Sequence, residues 1–158
     1  MKYVTILILV LGSQFLNAQS SYVEGKGYKG YVFDKEHFVF MSIENQKERY
    51  TPRQFDISMV EQLLKDSIDH IMKNQNDCSK QAVNKHNIKK YRRQYVGFIT
   101  KDNEIIIWIN FLKKDRNFGN KDLSRDIVSV LDGGCNFWSI HANLTKRKLF
   151  NLHVNGDG

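Results

Sequence analysis

The clearest periodic signal lies between residues 57 and 71. There Ile57, Val60, Leu64, Ile68 and Ile71 recur at spacings of three and four and so share one stripe of a helix. Glu61, Lys65, Asp66, Asp69 and Lys73 occupy the opposite side, so the spacing predicts an amphipathic helix packed on one face. Thr51, Pro52 and Gln54 mark its start: Thr can cap, Pro suits the first helical position, and Gln three residues on completes a capping box. Asp56 offers a second cap.

After residue 90 the period changes to two. Residues 91–100 and 104–112, flanking Lys101, Asp102 and Asn103, predict two antiparallel strands joined by a tight turn. Ile105, Ile106, Ile107, Trp108 and Ile109 are apolar on both faces, which places that strand in the middle of a sheet covered on at least part of both sides. Gly97 interrupts its partner and predicts a bulge or a bulky neighbour, Trp108 or Tyr95, in the vacated space. Ile127, Val128, Val130 and Leu131 predict a further strand, followed by a turn at Asp132, Gly133 and Gly134. Trp138, Ile140, Ala142 and Leu144 then share one strand face, as do Phe150, Leu152 and Val154. Matching those faces sets Leu144 opposite Phe150, Ile140 opposite Val154 and His141 opposite His153. Upstream, Tyr31, Phe33, Phe38, Phe40 and Ile43 predict a strand, or a hairpin around Asp34, Lys35 and Glu36. Residues 74–90 read as a polar loop with one short helical turn, and residues 19–30, with Gly25, Gly27 and Gly30, as a flexible lead-in.

The expected fold class is therefore α+β: one long amphipathic helix packed on a curved antiparallel sheet of about four to six strands. By element order alone this resembles the cystatin-type or nuclear-transport-factor-type roll. Tyr91, Arg93, Gln94, Tyr95, Gly97, Asn110 and Phe111, with Asp132, Gly133, Gly134, Asn155 and Gly156, also resemble a group of small uncharacterised secreted bacterial proteins, over roughly residues 50–157. That resemblance carries no activity.

The first residues change the picture most. Lys2 precedes a run from residue 4 to 11 in which Thr5 is the only polar side chain, and small and polar residues follow. This is the three-part pattern of a secretory signal peptide, with cleavage after Ala18 preferred over Ser20. A spanning helix needs about 20 apolar residues, and Gly12, Ser13, Gln14 and Asn17 interrupt this run too early. The expected organisation is a signal peptide at 1–18, a flexible segment at 19–30 and a single α+β domain at 31–158, exported to the periplasm or the exterior with no transmembrane segment after processing. One Pro, ten Gly and 41% hydrophobic residues fit a globular chain.

The formal net charge is +7 at pH 7, a moderate excess that attracts anionic chains without selecting among them. Lys85, His86, Lys89, Lys90, Arg92 and Arg93 gather positive charge around Tyr91 and Tyr95, the mixture that binds anionic polymers by charge and stacking. In a strand, however, Arg92 and Arg93 point to opposite faces. Lys85, Lys89, Lys90, Arg92 and Arg93 are the anion-binding candidates, with nucleic acid disfavoured for an exported chain. Cys78 and Cys135 are candidates for a disulfide in an oxidising compartment, worth about 4 kcal/mol on the chain-entropy account. Cys135, His141 and His153 invite a nucleophile-and-base reading, but Cys135 lies six residues from His141, about 20 Å along an extended strand. His141 and His153, as cross-strand partners, are metal candidates, yet a stable zinc site needs three or four ligands, and Ser139, Asn143, Asn151 and Asn155 are poor ones. No cofactor is implied. The chain carries no phosphate-binding loop, nucleophile elbow, metalloprotease helix or paired Cys-x-x-Cys. The expectation is a non-enzymatic binding or interaction module whose partner is a protein, glycan or small ligand. The alternative is a hydrolase-like or metal-dependent enzyme on the concave sheet face.

Overall fold

A computed structural model describes residues 20–73, 83–113, 122–131 and 133–155, excluding the side chain of Cys135. The leader, Cys78 and the proposed Cys78–Cys135 bridge lie outside these residues.

Seven strands form one open mixed sheet with a single long helix on one face. The strands are β1 (Ser20–Gly25), β2 (Tyr28–Phe33), β3 (Gln46–Tyr50), β4 (Tyr91–Thr100), β5 (Ile105–Lys113), β6 (Phe137–Asn143) and β7 (Lys148–Val154). The helix α1 spans Gln54–Lys73. The α+β expectation holds, with more strands than expected and one parallel pair, β2 beside β4. Among the described residues no helix is long and apolar enough to cross a membrane.

β4 organises the sheet. One edge pairs with β5 along almost its whole length. The other is divided: Arg93 to Val96 run parallel to Gly30–Phe33 of β2, and Gly97 to Thr100 run antiparallel to β3. Gly97 sits at the switch, where a Cβ would lie 2.5 Å from the Tyr50 carbonyl oxygen and 2.9 Å from Pro52. The neighbours that require glycine there are thus Tyr50 and Pro52, rather than Trp108 or Tyr95. As the two-sided apolar pattern of its sequence predicts, β5 lies inside the sheet, between β4 and β6.

The helix starts two residues later than a Thr51 cap would place it. Thr51 Oγ1 instead accepts the Lys35 amide, and Asp56 closes the helix start by accepting the Arg53 amide at 2.8 Å and the Tyr50 hydroxyl at 2.6 Å. Burial pushes the Asp56 carboxyl up, but these donors outweigh it and hold the group below its ordinary range. Ile57, Val60, Leu64 and Ile68 are fully buried, and Met72 rather than Ile71 continues the stripe. Each such side chain contributes roughly 2 kcal/mol of burial, which fastens α1 to Tyr91 and Tyr95 of β4, Ile107 and Ile109 of β5, and Ile140 of β6.

A second apolar cluster on the opposite face contains Phe33, Val96, Phe98, Ile106 and Trp108. Loop residues Val39, Met41 and Ile43 cover it together with Ile127.

Three local expectations are corrected. Residues 20–33 are a hairpin rather than a lead-in, because Gly27, at φ +90°, makes the turn between β1 and β2. Residues 34–45 and 127–131 are irregular rather than strands, since their apolar residues lie over the sheet face instead of extending a ladder. In the β6–β7 hairpin Arg147 and Asn151 take left-handed conformations. The pairing becomes Asn143 with Lys148, Ala142 with Leu149 and His141 with Phe150, then shifts so that Ser139 faces His153 and Trp138 faces Val154. A parity change follows. Leu149, Leu152 and Val154 pack on the helix side and Phe150 on the other, an irregularity invisible to a strict alternation of two.

Candidate functional site

The apolar face opposite the helix carries the largest described cavity, about 680 Å³, between the loop at residues 38–41 and the segment at 126–131. Trp108 of β5 and Phe137 of β6 line it beneath these two walls. Three large side chains on its rim face solvent: Phe40 at 98% exposure, Leu131 at 89% and Phe38 at 70%. Phe38 and Phe40 meet edge to face, their ring centroids 4.7 Å apart. Most of the lining is apolar, and its polar residues are Asn110, Asp126, Ser129, Ser139, His153 and Asn155.

The second wall is a strap without ladder hydrogen bonds, held by side-chain amides of the sheet. Gln94 is fully buried, and its amide nitrogen donates to the carbonyls of Leu123 and Asp126 at 2.9 and 2.8 Å. Its oxygen accepts the Val128 amide at 2.9 Å and the Asn110 side chain at 3.1 Å. Asn110 also donates to the Val128 carbonyl, and Asn155 to that of Val130. These bonds stand in for the strand pairing that the sequence suggests for residues 127–131.

A second cavity of about 470 Å³ lies at the end of the same face where β4 turns into β5. Glu104 is paired there with Lys146 and accepts from Asn143 at 2.6 Å. Lys146 and then Asn143 hold its carboxyl below the ordinary value. His141 also lines this cavity, tilted against Phe150, and burial lowers its imidazole pKa against a weaker hydrogen bond with the Asn151 backbone. A third cleft, about 340 Å³, opens beside β1 and β2 and includes Tyr22, Lys29, Tyr31, Arg92 and Asp122.

The candidates picked out from the sequence are dispersed. His141 pairs with Phe150 and His153 with Ser139, so the two imidazoles are not cross-strand partners, and they line different cavities. Among the described residues no group of three His, Cys, Asp or Glu side chains is placed to hold a metal. Of the basic cluster, Arg93 turns into the helix-side core. Its Nε lies 2.8 Å from Glu61, its guanidinium carbon 5.3 Å from the Phe111 ring centroid, and one terminal nitrogen donates to the Tyr91 carbonyl. Lys85 pairs with Asp69 at 3.5 Å. Lys89 and Lys90 are exposed, and Arg92 lines the third cleft.

Sequence reasoning missed two features. Glu61 sits with its side chain only 11% exposed and also accepts the Tyr95 hydroxyl, although the stripe placed it on the polar side of the helix. Burial raises its carboxyl pKa, opposed by Arg93 and Tyr95. An inward Arg at Arg93, on the parity of Tyr91 and Tyr95, was the available signal for a buried acid on the helix. The apolar groove was hidden because the residues that form it read as strands.

Compared with known protein families, characterised proteins and solved structures, the chain matches none.

Proposed function

We propose that the protein is an exported, non-enzymatic binding module that takes a small apolar ligand in the groove between residues 38–41 and 126–131. The observation that carries this reading is the ring of solvent-facing Phe38, Phe40 and Leu131 around a recess lined by Trp108. Isolated exposed apolar residues are ordinary, but three large ones bordering a single recess make a contiguous apolar mouth. Its volume falls within the roughly 300–1,000 Å³ typical of small-molecule sites, and its polar groups suit orientation more than chemistry. Covering half of the three rim side chains contributes roughly 3 kcal/mol. Export is supported by Lys2 and the apolar run that follows it, and the mass of the mature N-terminus tests it: a retained leader overturns that part.

Trp108 provides the assay. Titration with dodecanoate or with an anilinonaphthalene dye is expected to change its emission saturably, and Leu131→Glu to weaken binding about tenfold through loss of rim burial and added charge. No saturable change, or equal affinity in the variant, overturns the proposal.

A second reading is favoured by one observation: Ser139 and His153 are cross-strand neighbours on the groove wall, the residue types of an acyl-transfer pair. No hydrogen bond joins their side chains. Ester turnover that disappears in His153→Ala would replace the binding reading with a hydrolase, and its absence removes this alternative.

A further inference from the structure

We infer a second, polar binding site at the end of the sheet where β2 and β4 begin, suited to an acidic polysaccharide. It is independent of the apolar groove. The parallel register sets Gly30 beside Arg93, which brings Lys29 next to Arg92, and both line the 340 Å³ cleft with Tyr22 and Tyr31. The β1–β2 turn adds Lys26, and the short helix before β4 adds Lys89 and Lys90. None of these five cations makes an ion pair with a described carboxylate, unlike Lys85 and Arg93, which are engaged by Asp69 and Glu61. The proposed set keeps Lys89, Lys90 and Arg92 of the basic segment suggested by the sequence and adds Lys26 and Lys29 from a second chain segment.

The rest of the lining selects the kind of anion. Tyr22, 51% exposed, meets Tyr31 edge to face at 5.6 Å, giving an aromatic surface beside the cations. Two carboxylates share the site. Glu24 accepts the Tyr22 hydroxyl at 2.8 Å, and Asp122, in the cleft, accepts the Ser124 amide. A phosphodiester chain has few free hydroxyls to donate to those carboxylates, so nothing offsets their repulsion of its charges. An acidic sugar presents one carboxylate or sulfate to Lys29 and Arg92 and hydroxyl donors to the carboxylate oxygens, while its C–H face packs on a tyrosine ring. A membrane surface is disfavoured because, among the described residues, Tyr22 is the only large exposed apolar side chain at this end.

The test uses the full mature chain and four probes: polygalacturonate oligosaccharides, dextran, a twenty-nucleotide thymidine strand and phosphatidylglycerol vesicles, each titrated calorimetrically at about 0.1 M salt, where exposed charges retain part of their reach. Saturable binding of the acidic oligosaccharide and none of dextran is expected. Lys29→Glu with Arg92→Glu should weaken it about tenfold, the loss of two exposed charge contacts. Lys47→Glu with Lys101→Glu, of equal net charge at the opposite end of the sheet, should leave affinity unchanged. Thermal unfolding of both double variants verifies folding. Equal loss in the two variants reduces the effect to net charge and overturns the site. So does oligosaccharide binding that never saturates, or nucleotide or vesicle binding that is as tight and equally sensitive to Lys29 and Arg92.

Discussion

Replacing Gln94 by alanine removes the clamp on the strap that walls the apolar groove. The side chain makes four hydrogen bonds, to the carbonyls of Leu123 and Asp126 and from the Val128 amide and the Asn110 side chain. Three of them reach the strap segment, and at about 1 kcal/mol net each they contribute about 3 kcal/mol to holding it closed, the Asn110 bond lying within the sheet. The strap can swing out and hydrate its backbone groups, so the loss of global stability is smaller, about 2 kcal/mol by urea unfolding. The local opening free energy falls by most of the larger figure. Amide exchange at Val128 should therefore accelerate about a hundredfold, while amides at the centre of α1 change only in step with global stability. The apolar probe should bind more weakly, since one wall is no longer preorganised. Gln94→Glu separates the contributions: it keeps acceptor oxygens for Val128 but loses both donors and sets a carboxylate against two carbonyls, so it should be at least as damaging as alanine. Unchanged exchange at Val128 in Gln94→Ala would refute the claim that side-chain amides hold the strap.

Arg93→Met strands the Glu61 carboxylate in the core and should cost about 3–5 kcal/mol by chemical denaturation, with most of it recovered by adding Glu61→Leu. Burial raises the Glu61 pKa above its ordinary 4.5, so its stabilising contribution is full below that value and lost as pH rises through the folded pKa. Without Arg93 the shift grows, and the gap between variant and wild type should narrow on acidification; a constant gap contradicts the reasoning. His141 behaves in the opposite sense: its depressed pKa makes its contribution full above the ordinary 6.5 and lost as pH falls from there through the folded value. His141→Phe should flatten that part of the stability profile, and an imidazole titration by NMR at or above 6.5 would reject the burial argument. Gly30→Ala puts a Cβ 2.0 Å from the Arg93 carbonyl oxygen, so it should loosen the parallel β2–β4 pairing and speed amide exchange across the β1–β2 hairpin; unchanged protection there counts against the close approach.

Local chemistry alone specified the long helix and the central strands. The stripe from Ile57 to Ile68 can be buried only by a helix, and the two-sided apolar run of β5 only by sheet neighbours and cover on both faces. The Lys101–Asn103 turn was equally legible, with Asn103 in the left-handed conformation that the tight connection requires. Everything that forms the candidate sites depended on distant partners. Residues 127–131 alternate like a strand, yet they become a strap because Gln94, Asn110 and Asn155 supply hydrogen bonds from elsewhere in the chain. Glu61 satisfies the polar side of a helical wheel, yet it turns inward because Arg93 and Tyr95 wait on β4. His141 and His153 separate because the hairpin turns three residues tighter than matched apolar faces suggest, with Asn143 beside Lys148, so that His141 faces Phe150 before the shift at Asn151 is reached. Periodicity reports which residues must be buried, a nearest-neighbour property. Which polar groups meet is set by where segments tens of residues apart are brought together, and that is decided only when the sheet closes on its helix and its strap.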